Sequence, residues 1–157
     1  MSQLPITPEG FDKLSKELEN LISVVRPQVI ADLAEARAHG DLSENAEYDA
    51  AKERQGMVEA RIRFLKTRIQ QYQVIDPKTL EGDVVTFGAI VSIVDCETEK
   101  EETWQIVGED EADLKDKRIN ISSPLGRALI GKKVGDSIEI RTPKGIRECE
   151  LIKVCFP

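Results

Sequence analysis

"FDKLSKELENLISVV" (residues 11–25) decides the first half of the fold. Its apolar side chains stand at Phe11, Leu14, Leu18, Leu21 and Val25. The spacing of three, four, three, four is a heptad seam along one helix face. It continues more loosely through Val29 and Leu33. Thr7 followed by Pro8 marks the helix start: a capping hydroxyl, then a residue whose missing N–H is not needed in a first turn. Pro27 is expected to kink the helix or loosen its register, and Gly40 is placed to end it. "VEARIRFLKTRIQQY" (58–72) carries a second seam at Val58, Ile62, Leu65, Ile69 and Tyr72. Two long helices joined by a short connection fold back antiparallel. The hairpin therefore runs from about residue 8 to about residue 75, with its tip near 39–44. Each arm spans roughly 45 Å at ~1.5 Å per residue. Such a hairpin buries one seam only, so it reads as an element built to reach something.

The pattern changes at "VIDPKTLEGD" (74–83). Asp76-Pro77 breaks the helix, and alternating β-branched residues follow. Strands are expected at "DVVTFGAIVSIV" (83–94), "TWQIV" (103–107), "RINI" (118–121), "SIEIR" (137–141) and "ECELIKV" (148–154). "TPKG" (142–145) turns the last two into a hairpin. "SSPLGRALIG" (122–131) has a Ser123 cap, Pro124 and a Gly131 stop, hence a short helix on the sheet. The acidic run "EDEAD" (109–113) reads as a solvated loop. The fold class is α+β: an N-terminal antiparallel coiled-coil hairpin, residues 1–76, and a C-terminal antiparallel sheet with a short helix, residues 77–157.

Composition narrows the function classes. The 157 residues carry a net charge of −7, which argues against a general affinity for nucleic acid through bulk charge but not against a local basic patch. The N-terminus lacks the basic and apolar segments of a signal peptide. No apolar run approaches the ~18 residues of a membrane span. Cys96, Cys149 and Cys155 lack paired spacing and, with the lone His39, make no zinc site; they read as reduced thiols.

Charge is segregated along the hairpin. Residues 27–49 hold Asp32, Glu35, Asp41, Glu44, Glu47 and Asp49 against Arg37, a net of −5. Residues 52–68 hold Lys52, Arg54, Arg61, Arg63, Lys66 and Arg68 against Glu53 and Glu59, a net of +4. Ion pairs between antiparallel arms account for Asp32, Glu35 and most of the basic arm. They account less well for Asp41 and Glu44, which fall at the turn. Two readings of these acids stand side by side. Asp41 caps the second helix with Glu44 in its first turn; or the two carboxylates form a partial magnesium site that a second macromolecule completes.

The tip motif "EARAHGDLSENAEYDAAKE" (35–53), with "TPEGFDKLSKELENL", "FGAIVSI", "ISSPLGRALIGKKVGD" and "IKV", resembles the GreA/GreB family of bacterial transcript cleavage factors over essentially the whole chain. The resemblance implies an FKBP-like C-terminal domain that docks on bacterial RNA polymerase at its secondary channel. It also implies a coiled coil that enters the channel and a cytoplasmic, monomeric factor without a membrane anchor. The partner nucleic acid is the RNA 3′ end of a backtracked complex, which the polymerase itself cleaves under stimulation. Asp41 and Glu44 match the family's tip acids, supplied in trans to the polymerase active site and sharing Mg²⁺ with it, with no tightly bound cofactor. Arg37 and Lys52 match RNA-contacting positions; at Lys52 charge is kept while the planar fork of an arginine is lost. Leu42, Ser43, Asn45 and Tyr48 shape the tip, with Ser43 where a lysine also occurs in relatives. His39 reads as a residue favoured at a helix C-terminus. The sparse basic face fits the GreA branch better than the GreB branch, whose larger patch goes with longer fragments. Two rivals remain: a channel-occupying competitor that does not promote cleavage, and a peptidyl-prolyl isomerase. The latter needs an aromatic-lined pocket, and beyond residue 76 the aromatics are Phe87, Trp104 and Phe156.

Overall fold

The computed structural model describes residues 3–39 and 45–157. Contacts divide the chain into two compact units, Phe11–Gln71 and Met1–Gly10 with Tyr72–Pro157.

The first unit is the helical hairpin. Helix α1 (Pro8–Asn20) starts where the sequence places it: the Thr7 hydroxyl accepts the Gly10 amide at 3.1 Å. A π-helical turn (Leu21–Val25) leads into α2 (Arg26–Ala38), and α3 (Ala46–Gln71) returns. The buried seam is Leu14, Val29, Leu33 and Ala36 on the first arm, and Ala51, Ile62 and Leu65 on the second. Burying a leucine or isoleucine contributes about 1.5–3 kcal/mol.

The π turn explains how the arm tolerates Pro27. Continued as three and four, the seam of Phe11, Leu14, Leu18, Leu21 and Val25 would next meet Gln28, Asp32 and Glu35. One extra residue stands in the way. The wide turn absorbs it, with the Arg26 amide donating to the Leu21 carbonyl five residues back. Val29, Leu33 and Ala36 then take the seam. The same widening spares the Ser23 carbonyl the clash that a proline four residues on imposes in an α-helix.

The second unit is built on a mixed sheet. Its strands are β3 (Ile90–Asp95), β4 (Glu101–Val107), β5 (Arg118–Asn120), β6 (Ser137–Thr142) and β7 (Gly145–Cys155). Their order is β5-β4-β3-β7-β6, antiparallel except for the parallel β4–β5 pair. Helix α4 (Pro124–Leu129) is capped by Ser123, whose hydroxyl accepts the Gly126 amide at 3.1 Å. The core is aliphatic: Val85, Ala89, Val91, Ile93, Ile106, Ile119, Leu129, Ile138, Ile140, Cys149 and Leu151.

Three expectations change here. The strand expected over 83–94 begins only at Ile90. Before it the chain turns at Gly88, which has φ +85°, and a Cβ there would stand 2.7 Å from Pro77 Cβ. A small parallel sheet, β1 (Leu4–Ile6) with β2 (Tyr72–Val74), was not anticipated, because three-residue strands carry too little alternation to be read. The run "EDEAD" is not simply a solvated loop. The Glu111 side chain is 3% exposed. It accepts from the Thr7 amide at 2.9 Å, the Thr7 hydroxyl, the Gly108 amide at 3.0 Å and Arg118 at 3.0 Å.

Candidate functional site at the hairpin turn

The turn is held from both sides by Asn45. Its amide nitrogen donates to the Ala36 carbonyl at 2.6 Å, and its Oδ1 accepts the Tyr48 amide at 3.0 Å. The first bond satisfies a carbonyl in the last turn of α2; the second satisfies an amide in the first turn of α3. Asn45 is thus the cap of the second helix. The first-turn acids of α3 are Glu47 and Asp49; the capping reading of Asp41 and Glu44 falls on residues outside those described. The legible signal was an asparagine, a favoured cap residue, just before the helical run.

Two flanking groups stand close by. The exposed Arg37 guanidinium lies over the Tyr48 ring, 5.9 Å from its centroid. This cation–π contact leaves the charge facing solvent and sets the ring against the end of α2. His39 Nδ1 is 3.4 Å from Glu47 Oε2. Lys52 is exposed on α3. The expected tip residues Gly40, Asp41, Leu42, Ser43 and Glu44 lie outside the described residues.

Behind the turn, acids and bases of the two arms meet. Arg26 holds Glu59 through two hydrogen bonds of 2.8 Å, and Arg61 holds Glu17 through bonds of 2.7 and 3.0 Å. Arg54 reaches Asp32 at 3.4 Å. Partner numbers fall on one arm as they rise on the other, as antiparallel arms require. Hydrogen bonds from Arg26 hold the Glu59 carboxyl below its ordinary range. Asp32, Glu17 and Glu59 are therefore neutralised within the hairpin, whereas the motif's own acids come after the last of these pairs on the first arm.

The sheet unit carries an open groove of about 550 Å³ between α4, β6 and the segment that leads into β5. Trp104, Leu114, Ile119, Leu125, Ile140 and Pro143 line it. Of the three aromatics beyond residue 76, Trp104 alone faces this groove; Phe87 is buried and Phe156 packs on the core. That is a thin lining for an isomerase. Among the described residues the three cysteines are free thiols. Among those residues, too, no helix is long and apolar enough to cross a membrane.

A helical hairpin joined to a sheet unit, with a charged turn, matches two family models in series. Residues 4–74 match the N-terminal model of transcription elongation factors, and residues 80–155 match the C-terminal GreA/GreB model. The chain is 53% identical over 156 residues to transcription elongation factor GreA of Jannaschia sp., covering 99% of each chain. It is 54% identical over 154 residues to the GreA proteins of Caulobacter vibrioides and Azorhizobium caulinodans, covering 98% of each chain. Among solved structures it is similar to GreA factor homolog 1 of Thermus thermophilus, at 27% identity and TM-score 0.45, covering 97% of this chain and 98% of that one. It is also similar to the GreA/GreB factor of Nitrosomonas europaea, at 21% identity and TM-score 0.43, covering 98% and 99%. The protein is a transcription elongation factor. It belongs to the GreA/GreB family.

Proposed function

We propose that this protein stimulates the cleavage of backtracked nascent RNA by bacterial RNA polymerase, acting in the cytoplasm as a monomeric accessory factor rather than as a nuclease. The single observation that carries the reading is full-length identity above 50% to GreA factors, with the motif "GDLSENAEY" (40–48) intact. The sheet unit docks on the polymerase, and the hairpin enters the secondary channel. Helix α3 alone, with its 26 residues, extends ~39 Å at ~1.5 Å per residue.

Asp41 and Glu44 fit the role of partial metal ligands by their chemistry. Both offer hard carboxylate oxygens, three residues apart, and Mg²⁺ takes one or two protein carboxylates and fills its shell with water and phosphate oxygens. Bound between factor and polymerase, Mg²⁺ would polarise the scissile phosphate and lower the pKa of a water. The chain's own residues do the positioning. Asn45 ties the ends of both arms. Arg37, braced on Tyr48, presents a cation to the phosphates of the extruded RNA. Lys52 adds charge one helix turn farther along α3 from Tyr48.

The test is RNA cleavage in stalled, backtracked polymerase complexes with and without the protein, across magnesium concentrations. The expected result is faster release of short 3′ fragments at lower magnesium. Hydrolysis of RNA by the protein without polymerase would overturn the accessory role. Binding without stimulation would favour the competitor instead.

A further inference from the structure

The buried side of the acidic turn Glu109–Glu111 has no part in the function proposed above. Glu111 takes the Thr7 amide, the Thr7 hydroxyl, the Gly108 amide and Arg118. The Thr7 hydroxyl in turn accepts the Gly10 amide and so caps α1. One residue earlier, Asp110 accepts the Tyr72 hydroxyl, and Tyr72 directly follows the last residue of α3. Strand β1, before α1, pairs with β2, after α3. A three-residue turn therefore grips both points at which the hairpin's helices are rooted. All of these residues belong to the sheet unit.

The contact is closely fitted. A Cβ at Gly10 would collide with the Glu111 carboxylate, so a side chain there would push the first turn of α1 off its anchor. A carboxylate suits the site better than an amide. It offers only acceptors, and three donors converge from Thr7 and Gly108 while Arg118 supplies the positive charge. Glutamine would turn one of its ends, an NH₂, towards donors.

We propose that Glu111, working through Thr7, is a positioning residue for transcript cleavage: it clamps the roots of the hairpin so that the tip acids arrive in register. The activity part rests on the function proposed above; the clamp itself does not. Angular play at a root is multiplied along a helix of this length. A displacement of about 1 Å at a reacting centre costs as much as 10²-fold in rate.

The test compares the full-length protein with Glu111→Gln, Thr7→Val and Thr7→Ser. Three quantities are read: affinity for polymerase, cleavage rate at saturating factor, and hydrogen exchange of the Thr7 and Gly10 amides by NMR. Glu111→Gln and Thr7→Val are expected to bind polymerase within about twofold of the parent and to cleave at saturation about tenfold more slowly. Their Thr7 and Gly10 amides should exchange faster, while amides of Ile93 and Leu151 stay protected. Thr7→Ser, which keeps the hydroxyl, should restore both. A residue that only stabilised the fold would leave the saturating rate of the folded, bound protein unchanged, and that result overturns the proposal. Unchanged exchange at Thr7 and Gly10 overturns it as well. Should Glu111→Gln fail to fold, the valine–serine pair decides alone. If the parent stimulates no cleavage, the functional reading fails, and the clamp still stands or falls on the exchange data.

Discussion

At the scale of single residues, Asn45 organises the described part of the turn. Asn45 caps α3, and in the function proposed above Asp41 and Glu44 serve the metal rather than the helix. Asp41→Ala and Glu44→Ala are therefore expected to abolish cleavage stimulation while far-UV circular dichroism and polymerase affinity stay at parental values. Either alanine variant cleaving like the parent would remove the metal-ligand role. Asn45→Ala should show the opposite profile, losing about 0.5–2 kcal/mol of stability as a deleted cap does, measured by urea titration. A second carboxylate gives a pH prediction. Asp95 is held at a pKa of about 2 by its hydrogen bond from Arg147 and by the amides of Thr98 and Glu97. Its folded pKa lies below the ordinary carboxylate value of about 3.9. The stabilisation is therefore complete above pH ~4 and drains away as pH falls towards 2. Asp95→Asn should lower stability at pH 7 and flatten the decline between pH 4 and 2 in denaturant titrations. A parental slope in the variant would show that other carboxylates carry the effect. At this scale the sequence was legible where a residue's role is local: the Thr7 and Ser123 caps follow from neighbours three residues away. Glu111 was not legible, because its partner Thr7 lies 104 residues distant and nothing in "EDEAD" distinguishes the acid whose side chain is buried from the other acids.

At the scale of elements, periodicity carried the hairpin. Val58, Ile62, Leu65 and Ile69 were placed on one face by spacing alone, and Ile62 and Leu65 are fully buried. Alternation carried β6 and much of β7 in the same way, through Ile138, Ile140, Cys149 and Leu151. What periodicity left open was the answer to Pro27. A proline in an α-helix interior costs about 3 kcal/mol; here the π turn has already opened the backbone that the ring would strike. Pro27→Ala alone is therefore expected to change stability by less than about 1 kcal/mol, a small part of that cost. Deleting the exposed Val24 removes the extra residue and should drive the turn back to α-helix, with Val29, Leu33 and Ala36 still on the seam. Proline would then be punished. The deletion should cost about 3 kcal/mol with Pro27 present and recover most of it with Pro27→Ala. If Pro27→Ala by itself stabilised the parent by the full amount, the turn would be strained by the proline rather than adapted to it.

At the scale of the whole molecule, composition and packing draw the boundary in different places. Composition changes at Asp76-Pro77, which is where a reader of the sequence cuts. Packing puts residues 1–10 and 72–76 with the sheet, through contacts such as Thr7 with Glu111 and Tyr72 with Asp110 that no local pattern announces. The difference makes a prediction about fragments. The whole aliphatic core, from Val85 to Leu151, lies beyond residue 77, so the fragment 77–157 should fold cooperatively. It has lost Thr7, however, and with it two of the four donors to Glu111. Water takes their place, so what is lost is the net worth of those bonds, about 0.5–1.5 kcal/mol each. The fragment should therefore unfold at lower urea than the same residues in the full chain. Glu111→Gln should cost less in the fragment than in the full chain, since the two Thr7 bonds are already gone there and only those from Gly108 and Arg118 remain. The fragment should still compete with the full protein for polymerase and should stimulate no cleavage, because it lacks the tip. A fragment 11–71 that bound polymerase as tightly as the intact chain would reverse this assignment of docking to the sheet unit. An equal cost of Glu111→Gln in fragment and full chain would instead place the worth of Glu111 in Arg118 and Gly108, and take it away from the root of the first helix.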